Sequence, residues 1–283
     1  MISIRYVERI GLFLGLALLG PGSRRRPPAD PRALVVLTFD DSVKSHATVA
    51  GPLEATASTP RSSSEDPIRD RQEKLHDLGG DQALPSRRRF EIGNHTRDHM
   101  GVSASTVPRL EEQLAAIDRK CVEHGIPKPV SFAYPGNAIV VEALPVLKAH
   151  GIKFARRGGA PEFPYEEGRG VAYDPGRDHP LLIPTAGDAR PAWSLADFKR
   201  AVSQARSGRI AVLQFHGVPE GEHPWVHTPR ERFEEYMKYL HDENFTVIAL
   251  RDLARYVDAD LVPADPLEVI RRRKEAPPGD PGR

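Results

Sequence analysis

The sequence contains almost no cysteine and no surplus of charge of either sign. Its single cysteine, Cys121, excludes an internal disulfide framework and a cysteine-rich metal site, and we expect it to be structural, on one face of a helix. Lys and Arg together number 40 against 39 Asp and Glu, so no net field exists to attract nucleic acid. With 283 residues the chain can bury a large core without covalent crosslinks.

An apolar run long enough to span a bilayer is also missing near the N-terminus. Arg5 and Arg9 precede the apolar segment Ile10–Leu19, which is followed by glycine, proline and serine. A span takes about 20 apolar residues, whereas a shorter run after basic residues is typical of an export signal. We therefore predict a signal peptide over 1–23, or an uncleaved anchor as the one membrane attachment, then a basic, proline-rich linker over 24–32. The protein is expected to be extracytoplasmic.

Short apolar runs that end in polar or glycine residues recur along the rest of the chain. They read "ALVVLTFDD", "PVSFAYPGN", "IKFARR", "RIAVLQFHG" and "FTVIAL". Such runs indicate buried strands of a parallel sheet, and helical patterns lie between them. The alternation predicts an α/β domain over 33–258, with its sheet either open or closed into a barrel. The charged, proline-rich residues 259–283 are predicted to be a disordered tail.

Two of the helical patterns have clear boundaries. The first covers 105–124, with Pro108 near its start and Gly125 as its stop. The second opens with Thr228, Pro229 and Glu231, which predicts a capping box with proline at the first helical position.

Acids and histidines follow several of the predicted strands. Asp40 and Asp41 end the first run, His95 and His99 lie four residues apart in "EIGNHTRDHMG", and His216 follows "VLQF". Taken singly, each has an ordinary interpretation, because acids cap helices and histidines are often solvated or hydrogen-bonded in a core. The carboxyl ends of parallel strands meet on one face, however, so these side chains are expected to converge.

Together these groups favour metal-dependent hydrolysis. Two imidazoles and one carboxylate supply three ligands to a zinc-like ion and leave a fourth position open. A second carboxylate can then take a proton from water, and a histidine on another strand can protonate the leaving group.

The order of these motifs resembles the polysaccharide deacetylases of the NodB-homology type, carbohydrate esterase family 4. Their T-F-D-D motif stands at 38–41 and their H-[ST]-x-x-H motif at 95–99. An aromatic-proline-glycine turn is similar to "FAYPGN" at 132–137, and a Leu-x-x-His motif matches 213–216. The resemblance covers residues 31–258 and implies a distorted (β/α) barrel.

The resemblance also implies residue roles. Asp41, His95 and His99 would bind a divalent metal, with zinc as the expected ion. Asp40 would be the general base and His216 the general acid. The implied role of Tyr134 is to offer its backbone N–H to the oxyanion. Substrate contacts are expected from Pro135, Gly136 and Trp193.

The implied reaction is removal of N-acetyl groups from an N-acetylated polysaccharide or amino sugar, so the expected partner is a glycan. Two alternatives remain open: hydrolysis of another non-peptide amide or imide on the same fold, and a catalytically impaired relic that binds glycan. Thr96 and Asp98, between the two histidines, would either orient the ligands or be solvated.

The chain departs from the family pattern in its third and fourth motifs. Ala133 stands where the family carries an arginine that pairs with the catalytic acid. Arg156 or Arg157 could substitute, or both could lie on the surface. Asp188 and Trp193 are candidates for a fourth motif of an acid followed by tryptophan.

A larger departure lies in residues 52–89. The family places a second core strand there, yet this segment has no apolar run and therefore lacks the area whose burial contributes about 25 cal/mol per Å². We predict that one strand region of the fold is disrupted. A local shift of the reading frame in the gene would explain the loss.

Overall fold

A computed structural model describes residues 2–4, 33–41, 90–219 and 223–275. The apolar run Ile10–Leu19, the linker 24–32 and the segment 52–89 lie outside the described residues, so the predictions made for them stay predictions. Within the described ranges, no helix is both long enough and apolar enough to cross a membrane.

The described chain is a mixed α/β structure with a largely parallel sheet. Its strands in chain order are β1 Ile2–Ile4, β2 Leu34–Phe39, β3 Phe90–Ile92, β4 Ser131–Ala133, β5 Phe154–Arg156, β6 Gly187–Asp188, β7 Ala211–Phe215 and β8 Thr246–Ile248. Its α-helices are α1 Leu110–Glu123, α2 Ala143–His150, α3 Leu195–Val202, α4 Arg230–Asp242 and α5 Glu268–Glu275. The five strands predicted from apolar runs are present as β2, β4, β5, β7 and β8.

Strand β2 is the centre of the main sheet, whose order is β3-β1-β2-β7-β6. One edge of β2 pairs in parallel with β7 from Val35 to Phe39. The other edge pairs in parallel with β8 along its first half and antiparallel with β1 along its second half. Every residue of β2 is buried, which explains why its sequence is apolar on both faces.

Strand β1 was not anticipated, because its residues were assigned to the export signal. It lies between β2 and β3 and runs antiparallel to both, with Ile2 opposite Phe39 on one side and Ile92 on the other. The strands that lead to Asp40 and His95 are therefore linked through β1.

Two short strands form a second sheet beside the first. Strands β4 and β5 pair in parallel, and single bridges connect Asn94 with Phe132 and Arg156 with Ile183. The residues just after β3 thus pair with β4 on one side of this small sheet. On its other side, β5 pairs with a residue that precedes β6.

The core holds the end of β2 in place. Phe39 stacks on Phe215 of β7 with 5.2 Å between ring centroids, and Phe233 of α4 meets both rings edge-on. The same apolar cluster contains residues of α3 and α4, so these helices cover one face of the sheet. Burial of such large side chains contributes about 1.5–3 kcal/mol each and fixes where Asp40 emerges.

Helix α1 follows the predicted pattern. Leu110, Leu114 and Cys121 are buried on one face, Pro108 lies in a short 3₁₀ turn before the helix, and Gly125 ends it with a φ of +67°. Positive φ is accessible to glycine at little cost, so the predicted stop is confirmed.

The capping box predicted at Thr228 is wrong. Helix α4 begins at Arg230 with Pro229, in an extended conformation, at its N-cap, and no side chain caps it. The Thr228 hydroxyl instead donates to the carbonyl oxygen of Ala189 at 3.0 Å. The hydroxyl therefore ties the helix start to the loop after β6.

The prediction of a disordered tail is also wrong for residues 259–275. Helix α5 buries Val269 and Ile270, together with Arg273. The guanidinium of Arg273 donates to both carboxylate oxygens of Asp178 at 2.6 and 2.8 Å. A buried acid thus gives the basic helix a place to dock, which composition alone does not reveal.

Candidate metal centre

The polar end of β2 is tied to β7 before the chain turns. The backbone N–H of Asp40 donates to the carbonyl oxygen of Phe215 at 2.9 Å, which extends the ladder by one residue. Four of the six described non-glycine residues with positive φ lie at this site: Asp41, Thr96, His99 and Asn137. Left-handed backbone is costly for such residues, and it clusters at functional sites.

Asp41, His95 and His99 form a compact triad. Oδ1 of Asp41 lies 3.4 Å from Nε2 of His95 and 3.4 Å from Nε2 of His99. One possible ligand atom from each residue lies within 4.8 Å of the other two. Residues from two separate strand ends therefore meet as the sequence predicts.

The backbone fixes the tautomer of His95. Its Nδ1 lies 2.9 Å from the carbonyl oxygen of Ala133. A carbonyl oxygen only accepts hydrogen bonds, so Nδ1 carries a proton, and Nε2 is the ring nitrogen that faces Asp41. The His95 side chain is 10 % exposed and that of His99 is 58 % exposed, so the triad opens to solvent on the His99 side.

The donor set fits a divalent cation. Oδ1 of Asp41 is buried and makes no hydrogen bond of normal geometry within the described chain. Burial raises the pKa of Asp41, but contacts with His95 and His216 outweigh it, so the net pKa is lowered and the carboxyl is ionised. A buried anionic oxygen without a donor is costly, and a cation would satisfy it. Two imidazoles and one carboxylate are a common ligand set for zinc.

A buried arginine holds Asp40 beside the triad. Nη2 of Arg156 contacts both carboxylate oxygens of Asp40, and Nε2 of Gln214 donates to Oδ2 at 3.1 Å. Nη1 of Arg156 donates to Oδ1 of Asn137 at 3.2 Å. Burial raises the pKa of Asp40, yet Arg156, His95 and His216 lower it well below its usual range. Asp40 is therefore a carboxylate at neutral pH.

Ala133 stands where an arginine was expected, and Arg156 supplies the missing contact with the acid. Arg156, on the strand next to Ala133, contacts Asp40, whereas Arg157 pairs with Glu162 at 2.5 Å. Both arginine side chains are fully buried, so the alternative of a surface role is wrong for both.

His216 lies beside the triad and lines the same cavity. Its Nε2 is 3.8 Å from Oδ2 of Asp41, and its Nδ1 is 3.7 Å from Oδ1 of Asp188. Asp188 also accepts a hydrogen bond from Arg190 at 2.9 Å. Burial raises the pKa of Asp188 above its usual value. The imidazole thus lies between two carboxyl groups, as a residue that moves a proton requires.

The triad, Asp40 and His216 line one cavity of about 660 Å³. Its polar end is lined by the following residues: Asp40, Asp41, His95, His99, Gly136, Asn137 and His216. Lys120 and Cys121 of α1 also line the cavity. Cys121 is a buried free thiol whose pKa is raised by burial, in agreement with the predicted structural role.

The oxyanion role predicted for Tyr134 is wrong. Its backbone N–H donates to the carbonyl oxygen of Arg156 at 3.0 Å, because Tyr134 continues the pairing of β4 with β5. Its buried hydroxyl donates to the carbonyl oxygen of Leu181 at 2.9 Å. Of the residues in the predicted turn that were expected to contact substrate, Pro135 is buried and does not line the cavity, whereas Gly136 does. Trp193 lines a neighbouring cavity instead.

Thr96 and Asp98, between the two histidines, make hydrogen bonds that stabilise the loop, and these bonds do not involve the imidazoles. The Thr96 hydroxyl accepts the backbone N–H of Met100 at 2.7 Å. Asp98 accepts hydrogen bonds from Arg97 and from Gln113 of α1. These contacts fix the loop conformation that brings His95 and His99 together.

Two polar residues of the site were not predicted. Gln214 is the one amide within the apolar run "AVLQF" of β7, and a polar residue inside a buried strand is a usable signal. Asn137 follows Gly136 in the predicted turn and has a φ of +59°. Its side-chain partner, Arg156, belongs to a different strand, so no local pattern indicates the contact.

The fold and this arrangement define a mixed α/β protein with a candidate divalent-metal centre at its strand ends. The chain matches no known protein-family model and no curated protein sequence. The resemblance to polysaccharide deacetylases therefore depends on the motifs and stays a prediction.

Proposed function

We propose that this protein is a metal-dependent N-deacetylase that acts on an N-acetylated glycan outside the cytoplasm. The observation that carries the proposal is the meeting of Asp41, His95 and His99 with Asp40 and His216 at one cavity. This combination offers a metal ligand set, an ionised carboxylate and an imidazole, which are the parts that amide hydrolysis needs.

The strand pairing supports a distorted barrel of the NodB type. The main sheet runs from β3 to β6, and the bridges from Asn94 to Phe132 and from Arg156 to Ile183 continue it through β4 and β5. A sheet that closed in this way would place several strand ends around one opening.

The chain's own residues divide the work of hydrolysis. Asp41, His95 and His99 would hold the cation, and zinc is the ion that this donor set favours. When bound, the cation supplies Lewis acidity, which polarises an acetamide carbonyl and makes water a better nucleophile.

Proton transfer falls to two residues beside the triad, Asp40 and His216. Asp40 accepts a proton from the attacking water, while Arg156 and Gln214 keep its carboxylate ionised and oriented. The water oxygen bonds to the acetyl carbon, and the carbon–nitrogen bond breaks. His216 gives a proton to the departing nitrogen as this bond breaks, so the products are acetate and a free amine.

Acetate release from an N-acetylglucosamine tetramer by the full-length protein tests the proposal. We expect release to stop on chelation and to return with added zinc. Asp40→Asn should lower the rate by about 10²–10⁴-fold, the usual contribution of a general base. His95→Ala should abolish zinc-dependent activity.

The matched control is His241→Ala, which removes a half-exposed histidine from α4, outside the cavity. It should leave the rate unchanged. Full activity of Asp40→Asn, or equal loss in His95→Ala and His241→Ala, would contradict the assignment.

A further inference from the structure

An exposed tryptophan lies at the rim of the proposed catalytic cavity. Trp225 is 59 % exposed, and it lines the cavity together with Tyr165, another exposed aromatic residue. One face of the Tyr165 ring is covered by the Arg190 guanidinium, 4.1 Å from the ring centroid. Trp225 meets the His223 ring edge-on at 5.3 Å. Tryptophan and tyrosine are enriched at binding interfaces, because their rings offer a large apolar surface together with a polar group.

Trp225 is also a wall of a second cavity. This cavity has a volume of about 760 Å³ and includes Pro191, Ala192 and the buried Trp193 among its lining residues. Because Trp225 lines both cavities, they adjoin across its indole ring. A ligand that lies on this ring can therefore extend from the metal centre into the second cavity.

The charges of the second cavity favour a neutral, hydroxyl-rich ligand. Each of its three arginines has an acidic partner: Arg169 with Glu167 at 3.8 Å, Arg190 with Asp188 at 2.9 Å and Arg200 with Asp197 at 2.6 Å. Paired charges leave no net field for a polyanion such as nucleic acid. They do present hydrogen-bond donors and acceptors side by side, which suits the hydroxyl groups of a sugar.

We propose that Trp225 is a stacking platform for one sugar ring, and that the second cavity holds the next unit of the same glycan. The proposal rests on the proposed deacetylase function and sharpens it, because the substrate becomes a neutral glycan of at least two units and not a free amino sugar. The apolar face of a pyranose ring covers the indole, while its hydroxyl groups reach the paired charges.

Iodide quenching of tryptophan fluorescence tests the subsite without turnover. The chain has two tryptophans, and Trp193 is only 5 % exposed, so iodide reaches mainly Trp225. In full-length Asp40→Asn protein, N-acetylglucosamine tetramer should lower the quenching constant about threefold by covering the ring. The tetramer should bind at least about tenfold more tightly than the monomer.

Substitutions separate stacking from general loss of structure. Trp225→Ala should remove the preference for tetramer, and Trp225→Tyr should keep most of it. The matched control is Val122→Ala, an exposed apolar residue of α1 outside both cavities, and it should change neither binding constant. The proposal would be overturned if the protein bound monomer and tetramer equally, or if Trp225→Ala bound the tetramer as tightly as the unsubstituted protein does. It would also be overturned if self-association without glycan shielded Trp225 from iodide.

The outcome is separable from that of the deacetylase proposal. Tetramer protection of Trp225 without acetate release would support the subsite and reject the catalysis. Acetate release with the same KM for tetramer in Trp225→Ala and the unsubstituted protein would support the catalysis and reject the subsite.

Discussion

Arg156 and Arg157 are neighbours in sequence, are equally buried and each bind a carboxylate through the guanidinium, yet they serve different regions. Arg156 contacts Asp40, which lines the solvent-open cavity beside the metal triad. Arg157 contacts Glu162, whose other neighbour is Arg273 of α5, 3.7 Å away. Successive residues of a strand point to opposite faces, so one arginine reaches the site and the other the tail helix.

The difference teaches that surroundings decide what a buried ion pair does. The pair at Asp40 keeps a carboxylate ionised in a cavity that a ligand can enter. The pair at Glu162 joins Arg157 to Arg273 and Asp178, which anchors α5 against the loop before β6. The first is expected to matter for reaction rate, and the second for stability.

The largest effect should come from Arg157→Met. Breaking a buried pair leaves an unpaired charge and typically costs 3–5 kcal/mol, and the second contact of Glu162 with Arg273 favours the lower end, about 3 kcal/mol. Urea unfolding measures this loss. The zinc affinity of the folded variant should be unchanged. If Arg157→Met were as stable as the unsubstituted protein but bound zinc more weakly, the pair at Glu162 would serve the metal site and not stability.

Glu91→Gln is expected to reduce the pH dependence of stability by an amount of similar size. Glu91 is buried on β3, and its Oε2 accepts the backbone N–H of Arg251 at 2.9 Å. Burial raises its pKa to about 7 from a usual 4.5, in contrast to Asp40 beside its arginine. The folded protein therefore binds more protons than the unfolded chain between these two values.

The sign of the pH effect follows from that difference in proton binding. Stability falls as pH rises through this window, by about 3 kcal/mol in total between pH 4.5 and pH 7. Unfolding free energies measured at pH 5 and pH 8 should drop less in Glu91→Gln than in the unsubstituted protein. An identical pH dependence of both proteins would show that Glu91 does not titrate in this range.

Arg156→Met should mainly affect turnover. Removing the guanidinium raises the pKa of Asp40, because Arg156 is the strongest of the contacts that lower it. The acid limb of the pH–rate profile should then move to higher pH, and the rate at neutral pH should fall about 10–100-fold. A profile of unchanged shape would remove Asp40 from the role of base.

The smallest effect concerns a neutral tie at a strand end. Thr228→Val removes the hydrogen bond to Ala189 and should cost about 1 kcal/mol. Thr185→Val is the matched control, because the buried Thr185 hydroxyl has no hydrogen-bond partner among the described residues. Its removal should be neutral or stabilising in the same unfolding experiment, and equal losses in both variants would argue against a role for the Thr228 bond.

Sequence reasoning located the strands and the triad because both depend on strong local signals. The run from Leu34 to Phe39 is short and almost entirely apolar, which is typical of a buried strand. Strand ends then bring Asp41, His95 and His99 together without any knowledge of side-chain packing. The pattern of a short apolar run followed by polar residues recurs along the chain.

The errors arise where a partner comes from a distant part of the chain. The Thr228 hydroxyl donates to the carbonyl oxygen of Ala189, just after β6, and does not cap its own helix. Arg273, in the segment predicted to be disordered, binds the buried Asp178. The N–H of Tyr134 is taken by the neighbouring strand. In each case, a tertiary hydrogen bond replaced a local one, and local patterns carry no information about it.

Strand β1 gives the metal centre an unusual dependence on the first residues of the chain. Because β2 and β3 are adjacent to β1 and not to each other in the sheet order, their separation is two strand spacings, roughly 10 Å. Residues 2–4 therefore act as a spacer that sets the distance between the backbone at Asp41 and the backbone at His95. A change of backbone hydrogen bonding at Ser3 would therefore be expected to alter the spacing between Asp41 and His95.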